Sequence, residues 1–106
     1  MTKGDTYPAA NFTETEADSD LSRVRVEVKA AGSTTAALTL DSDATGVTIN
    51  TATAGAWDFT VDEISAATTA GLTAGWYSYD LETTDAAGVV STEFKGSWRI
   101  LPEVTD

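Results

Sequence analysis

Apolar and polar residues alternate with a period of two along most of the chain, and this alternation predicts strands. SRVRVEVK (22–29) is the clearest case. Val24, Val26 and Val28 fall on one face, and Arg23, Arg25, Glu27 and Lys29 on the other. That is the pattern of a half-buried strand, and valines suit the pleat. AAGS (30–33) supplies a turn, after which Leu38 and Leu40 in TAALTLDSD, two apart, predict a second strand. Val47 and Ile49 share one face of a third. Trp57, Phe59 and Val61 share one face of a fourth, with an alanine-glycine stretch turning between the two. In WYSYDLETTDAAGVVSTEFKGSWRI two longer strands flank the turn AAG (86–88). Tyr77, Tyr79 and Leu81 lie opposite Trp76, Ser78, Asp80 and Glu82, and later Phe94, Gly96, Trp98 and Ile100 lie opposite Lys95, Ser97 and Arg99. Pro102 ends the pairing, because proline has no N–H for the ladder.

One segment breaks the alternation. In DEISAATTAGLTAG (62–75), Ile64, Ala67 and Leu72 stand nearer helical spacing; Asp62 is a candidate N-cap, and Gly71 or Gly75 a candidate stop. The expectation is one short helical turn crossing between sheets. The run TETEADSD (13–20) sets acids at alternate positions with no apolar partner and reads as a solvated loop. About seven strands with turn signals between them predict an all-β, Ig-like antiparallel β-sandwich in the loose sense of that term. The whole chain, 1–106, forms a single domain with extended ends over about 1–6 and 102–106.

The aromatic cluster in TAGWYSYDLE (73–82) poses a choice between core packing and a binding platform. Tyr77 and Tyr79 are in register with Leu81, so core packing accounts for both, with their hydroxyls reaching the sandwich edge or a backbone carbonyl. Trp76 shares the polar face with Asp80 and Glu82. It is either an anchor at the sandwich edge, the reading that packing favours, or an exposed contact for a partner or a glycan.

Composition narrows function by exclusion. The 106 residues are 42% hydrophobic and include no cysteine, so neither disulfides nor thiolate metal sites are available. Six Lys and Arg against 17 Asp and Glu give a formal net charge of −11. Such a chain repels nucleic acid and anionic membranes. Its acidity reads first as a means of staying soluble and monomeric in isolation, with a docking face for a basic or cation-rich partner as the sharper alternative. No apolar run approaches the length that spans a bilayer. The opening residues lack the apolar core of a secretory signal, so synthesis in the cytoplasm is expected, with release only inside a particle freed by lysis. Without histidine or cysteine, the common general base and the common nucleophile are both missing. Paired carboxylates are the remaining catalytic option, but a sandwich this small rarely forms the cleft they need. Asp41 and Asp43, with Asp58 not far along the chain, form a weak calcium-ligand pattern that reads better as a turn. No enzymatic activity, cofactor or metal is expected.

Four segments taken in order carry a resemblance: KGDT (3–6), DLS (20–22) before an alternating strand, LTAGWYSYDLETTDAAG (72–88), and KGSWRILPEVT (95–105). The chain resembles a class of small Ig-like domains encoded in the structural modules of tailed bacteriophages. It is similar to the N-terminal domain of phage baseplate upper proteins and to short stand-alone virion proteins. Gly4, Asp5 and Thr6 match the opening of that family's first strand, Gly75, Tyr77, Tyr79, Asp80 and Leu81 a glycine–tyrosine–aspartate–leucine strand, and Gly96 with Ile100 the last. The resemblance implies a non-enzymatic virion protein, present in many copies and docking on other virion structural proteins of the tail, neck or baseplate. Capsid decoration is the alternative within the class, and a carbohydrate-binding or adhesive module the alternative outside it. Residues 1–106 carry no pattern of a trimerising coiled coil or receptor-binding region, so head, neck and tail tube stay open as expected locations beside the baseplate. Expected partner contacts are Trp76 and the two ends, Lys3, Gly4, Asp5, Thr6, Pro102 and Glu103, which would extend pairing onto a neighbour.

Overall fold

The valines of 22–29 lie at the centre of the molecule. The computed structural model describes residues 6–100. Seven strands and one short helix follow in order: β1 (Ala10–Glu14), β2 (Leu21–Ala30), β3 (Ala36–Asp41), β4 (Val47–Thr51), β5 (Trp57–Val61), α1 (Ala66–Ala70), β6 (Gly75–Asp85) and β7 (Val90–Ile100). Every named strand pairing is antiparallel. One sheet has the order β1-β5-β4 and the other β3-β2-β6-β7. The protein is therefore an all-β sandwich. Its layering and strand count are Ig-like only loosely: in a constant-type immunoglobulin domain the second strand lies beside the first and fifth, whereas here β2 lies between β3 and β6.

The alternation places the core as expected. Val24, Val26 and Val28 of β2, Leu40 of β3, and Tyr77 and Leu81 of β6 are buried against Val47, Trp57, Phe59 and Ile64. Register is fixed by this burial, since a slip of one residue would turn every valine of β2 to solvent. Tyr77 sends its hydroxyl to the carbonyl of Thr73 at 2.6 Å, and the Trp57 indole N–H reaches the carbonyl of Ser19 at 2.9 Å. Large buried aromatics thus carry their polar atoms to backbone acceptors.

Two local expectations change, and two hold. Residues 10–14 form β1, pairing from Ala10 opposite Val61 to Glu14 opposite Trp57; the acidic run therefore begins inside a strand. The rest of that run is pinned by Asp20, whose carboxylate accepts from the N–H of Ala54 at 2.8 Å. The cap of α1 is Ser65, which accepts from the N–H of Thr68 at 3.2 Å. Asp62 instead accepts from the Thr48 hydroxyl at 3.0 Å. Gly71 closes the helix, while Gly75 opens β6. The loop between β6 and β7 is held by Asp85, whose carboxylate accepts from the N–H groups of Ala87 and Val89, each at 2.9 Å, and Gly88 takes the positive φ of 85° that the turn requires.

Candidate docking surface

The inner faces of β1 and β7 meet along one side of the sandwich without closing it. Phe12 of β1 packs on Phe94 of β7 with ring centroids 5.3 Å apart, and Tyr7 meets Trp98 edge-on at 5.6 Å. Between and beneath these pairs lies an apolar groove of about 290 Å³, floored by Val26, Val28 and Leu81 and bordered by Lys95 and Ser97 of the β7 edge. Its aromatic walls are poorly covered: Phe94 is 49% exposed and Tyr79 37%. Tyr79 does face inward in register with Leu81, but it lies at the mouth of the groove, so its burial as core is only partial. Its ring lies over Gly96, where an added Cβ would come within 2.5 Å of the phenol oxygen. Trp98 also lines the groove, and its Nε1 is buried with no hydrogen-bond partner among the described residues.

The outer face of the four-stranded sheet has a different character. Of the six Lys and Arg, all but Lys3 lie within the described residues, and register puts Arg23, Arg25, Lys29, Lys95 and Arg99 together on this face. Arg25 lies 3.1 Å and Lys29 3.6 Å from the Glu27 carboxylate. Trp76 is 55% exposed here, with the Arg99 guanidinium 5.5 Å from its ring centroid. It is a surface residue paired to a cation rather than an anchor in the seam between the sheets. Tyr7 and Trp98 touch, so the chain enters and leaves the described fold at one end of the sandwich. Toward the other end, Glu14, Glu16, Asp18, Asp85 and Glu93 surround an open depression of about 320 Å³ beside Trp57.

The DSD turn has a structural occupation. Asp41 is buried, and Arg23 grips it with two donors: Nε reaches Oδ1 at 3.0 Å, and Nη2 pairs with Oδ2. The Asp43 N–H also donates to Asp41 at 3.0 Å, and Ser42 accepts from the N–H of Val24 at 3.0 Å. The bond from Arg23 holds the Asp41 carboxyl at about 2, well below its ordinary value, although burial pushes the other way. Asp58 lies on the outer face of the other sheet. Its carboxylate accepts from Asn11 at 2.8 Å and Asn50 at 3.1 Å, which lowers its pKa. Asp41, Asp43 and Asp58 are therefore not brought together, and no group of three or more potential metal ligands exists among the described residues.

Of the expected contact residues, Trp76 and Thr6 are exposed, whereas Lys3, Gly4, Asp5, Pro102 and Glu103 lie outside the described residues. The groove itself was not foreseen. Its signal was present in the two aromatics, Phe94 and Trp98, on the inward face of the last strand of the chain, and in Phe12 ahead of the first alternating strand. No family model, no curated protein and no solved structure matches the chain.

Proposed function

We propose that this chain is a non-catalytic structural module of a bacteriophage particle, docking on other virion proteins of the tail, neck or baseplate. The observation that carries the reading is the position of the exposed aromatics. Tyr7, Tyr79 and Phe94 gather on one open side of the sandwich, next to a long strand edge that pairs with nothing among the described residues, which is an arrangement for meeting another protein. The acidic end supports the same role, because like charge keeps copies apart until a partner supplies the complementary surface. The resemblance to phage Ig-like domains supplies the particle, and decoration of the head is the neighbouring option within it. A glycan platform at Trp76 draws less support: the Arg99 guanidinium already lies over that indole, and its other register neighbours on the face, Ser78 and Ser97, are not aromatic. The test is cosedimentation of tagged chain with particles from the host that encodes it. A fixed ratio to the major particle protein after a high-salt wash is expected. Recovery only as free protein would remove the virion reading, and selective retention on a glycan array would replace it with the adhesive one.

A further inference from the structure

Resting on the docking reading, we propose a specific acceptor: the β7 edge from Phe94 to Ile100 takes an extended strand of a partner protein, with apolar residues facing inward and an acidic residue opposite Ser97. Three observations define that occupant. β7 is an edge strand, paired on one side with β6 and, among the described residues, with nothing on the other. Its backbone N–H and C=O groups on that side form a template for a further strand. The register shift at Leu81/Glu82 leaves Glu93 as an extra residue, its carboxylate accepting from Thr83 at 3.1 Å. This bulge limits regular pairing to the portion after Glu93.

The groove sets the inward residues. A strand laid against β7 sends alternate side chains over the opening between β7 and β1, where Phe94, Tyr79, Phe12 and Trp98 stand partly uncovered. Valine, isoleucine or leucine at those positions would complete the core of the sandwich. Trp98 Nε1 in the same wall is buried without a hydrogen-bond partner among the described residues, which marks the place as polar as well as apolar.

Charge sets the outward residues. On the other face of β7, Lys95 and Arg99 bracket Ser97. A residue opposite Ser97 on an added strand has both cations as diagonal neighbours, within reach of a carboxylate. The acids of this face, Glu27, Asp80 and Glu82, stand on the inner strands β2 and β6, whereas β7 beyond Glu93 carries only the cations Lys95 and Arg99, so an acidic strand fits this edge better than a basic one.

The probe is a nine-residue peptide alternating threonine and valine, with one central threonine-face position set to glutamate or to lysine. A third peptide carries serine for every valine. In 0.15 M salt the glutamate peptide should shift and protect the amides of residues 94–100, with roughly fivefold tighter binding than the lysine peptide. The serine peptide should not bind. Phe94→Asp should abolish the effect, while Thr39→Ala, exposed on β3 at the opposite edge of the sheet, should leave it intact. The proposal is overturned by silence of these amides at millimolar valine peptide, by a lysine preference, or by perturbations that map to β1, β3 or β4. Protection of the same amides by concentration alone, without peptide, would make a second copy the occupant and overturn the partner strand. Peptide binding without particle cosedimentation would keep the acceptor and remove the virion role; cosedimentation without peptide binding would do the reverse.

Discussion

Arg23 and Asp41 show how one pair can decide the use of an acidic motif. The carboxyl of Asp41 is held at about 2, against an ordinary 3.8, so the unfolded chain takes up the proton first. The pair therefore stabilises the fold above about pH 4 and loses that contribution as pH falls toward 2. Arg23 is 40% exposed in its side chain, and the contribution is discounted accordingly to about 1–2 kcal/mol. Asp41→Asn should lower stability by that amount at pH 7, and urea titrations at pH 7 and pH 2.5 should show the gap closing in acid. A pH-independent gap would assign the loss to packing alone. Gly96 is a second residue-scale case. Its φ is ordinary, but the Tyr79 ring occupies the space a Cβ would need, so Gly96→Ala should destabilise by about 1 kcal/mol. In a Tyr79→Ala background the same change should be neutral or favourable, a non-additivity that a double-mutant cycle measures directly. Additive effects would mean that the ring does not rest there.

At the scale of elements, what could be read in advance follows the strength of the alternation. β2 carries three valines on one face and was legible to the side chain. On β6 the alternation was legible, but Tyr79 is 37% exposed where core was expected, and Trp76 is a surface residue, not an anchor. β1 was not, because Phe12 is its only large apolar residue; the strand is held by pairing with β5 and by stacking on Phe59 at 5.4 Å. Such tertiary support leaves no periodic trace. The cap of α1 was misplaced for a similar reason: Asp62 and Ser65 are both competent acceptors, and the pairing of Thr48 with Asp62 decides between them. The same contrast orders the energetics. Val26 is 7% exposed, so Val26→Ala should cost about 2–3 kcal/mol through lost burial and a residual cavity. Tyr79→Ala, at the mouth of the groove, should cost about 1–2 kcal/mol despite removing more atoms. Denaturant midpoints at constant m-value compare the two; a larger loss for Tyr79 would mean that the groove is closed in solution.

Over the whole molecule, the distribution of charge matters more than its total. The cations of the described residues share one sheet face with Glu27, Asp80 and Glu82, where opposite charges are near neighbours. The acids around Trp57, among them Glu14, Glu16, Asp18, Asp85 and Glu93, line their depression with no cation among the described residues that form it. Folding brings these five carboxylates together from three separate stretches of the chain, so their repulsion is larger in the folded state than in the unfolded one. Screening relieves it, because the Debye length shrinks from about 30 Å at 0.01 M salt to about 3 Å at 1 M. The paired charges on the other face lose little, since contacts at 3–4 Å are shorter than most of these lengths. Sodium chloride raised from 0.01 to 0.5 M should therefore increase stability by on the order of 1 kcal/mol, a rise in Tm of about 5 °C for a domain of this size. Calcium chloride should follow the same curve when matched for ionic strength, and EDTA should leave Tm unchanged at fixed salt, because a screening effect needs no site. Scanning calorimetry across the series separates the cases. A Tm that falls with sodium chloride would place the dominant electrostatics in the ion pairs of the mixed face. A calcium response well above the ionic-strength curve, lost in Glu14→Gln with Glu93→Gln, would turn the acidic depression from a repulsive surface into a cation site.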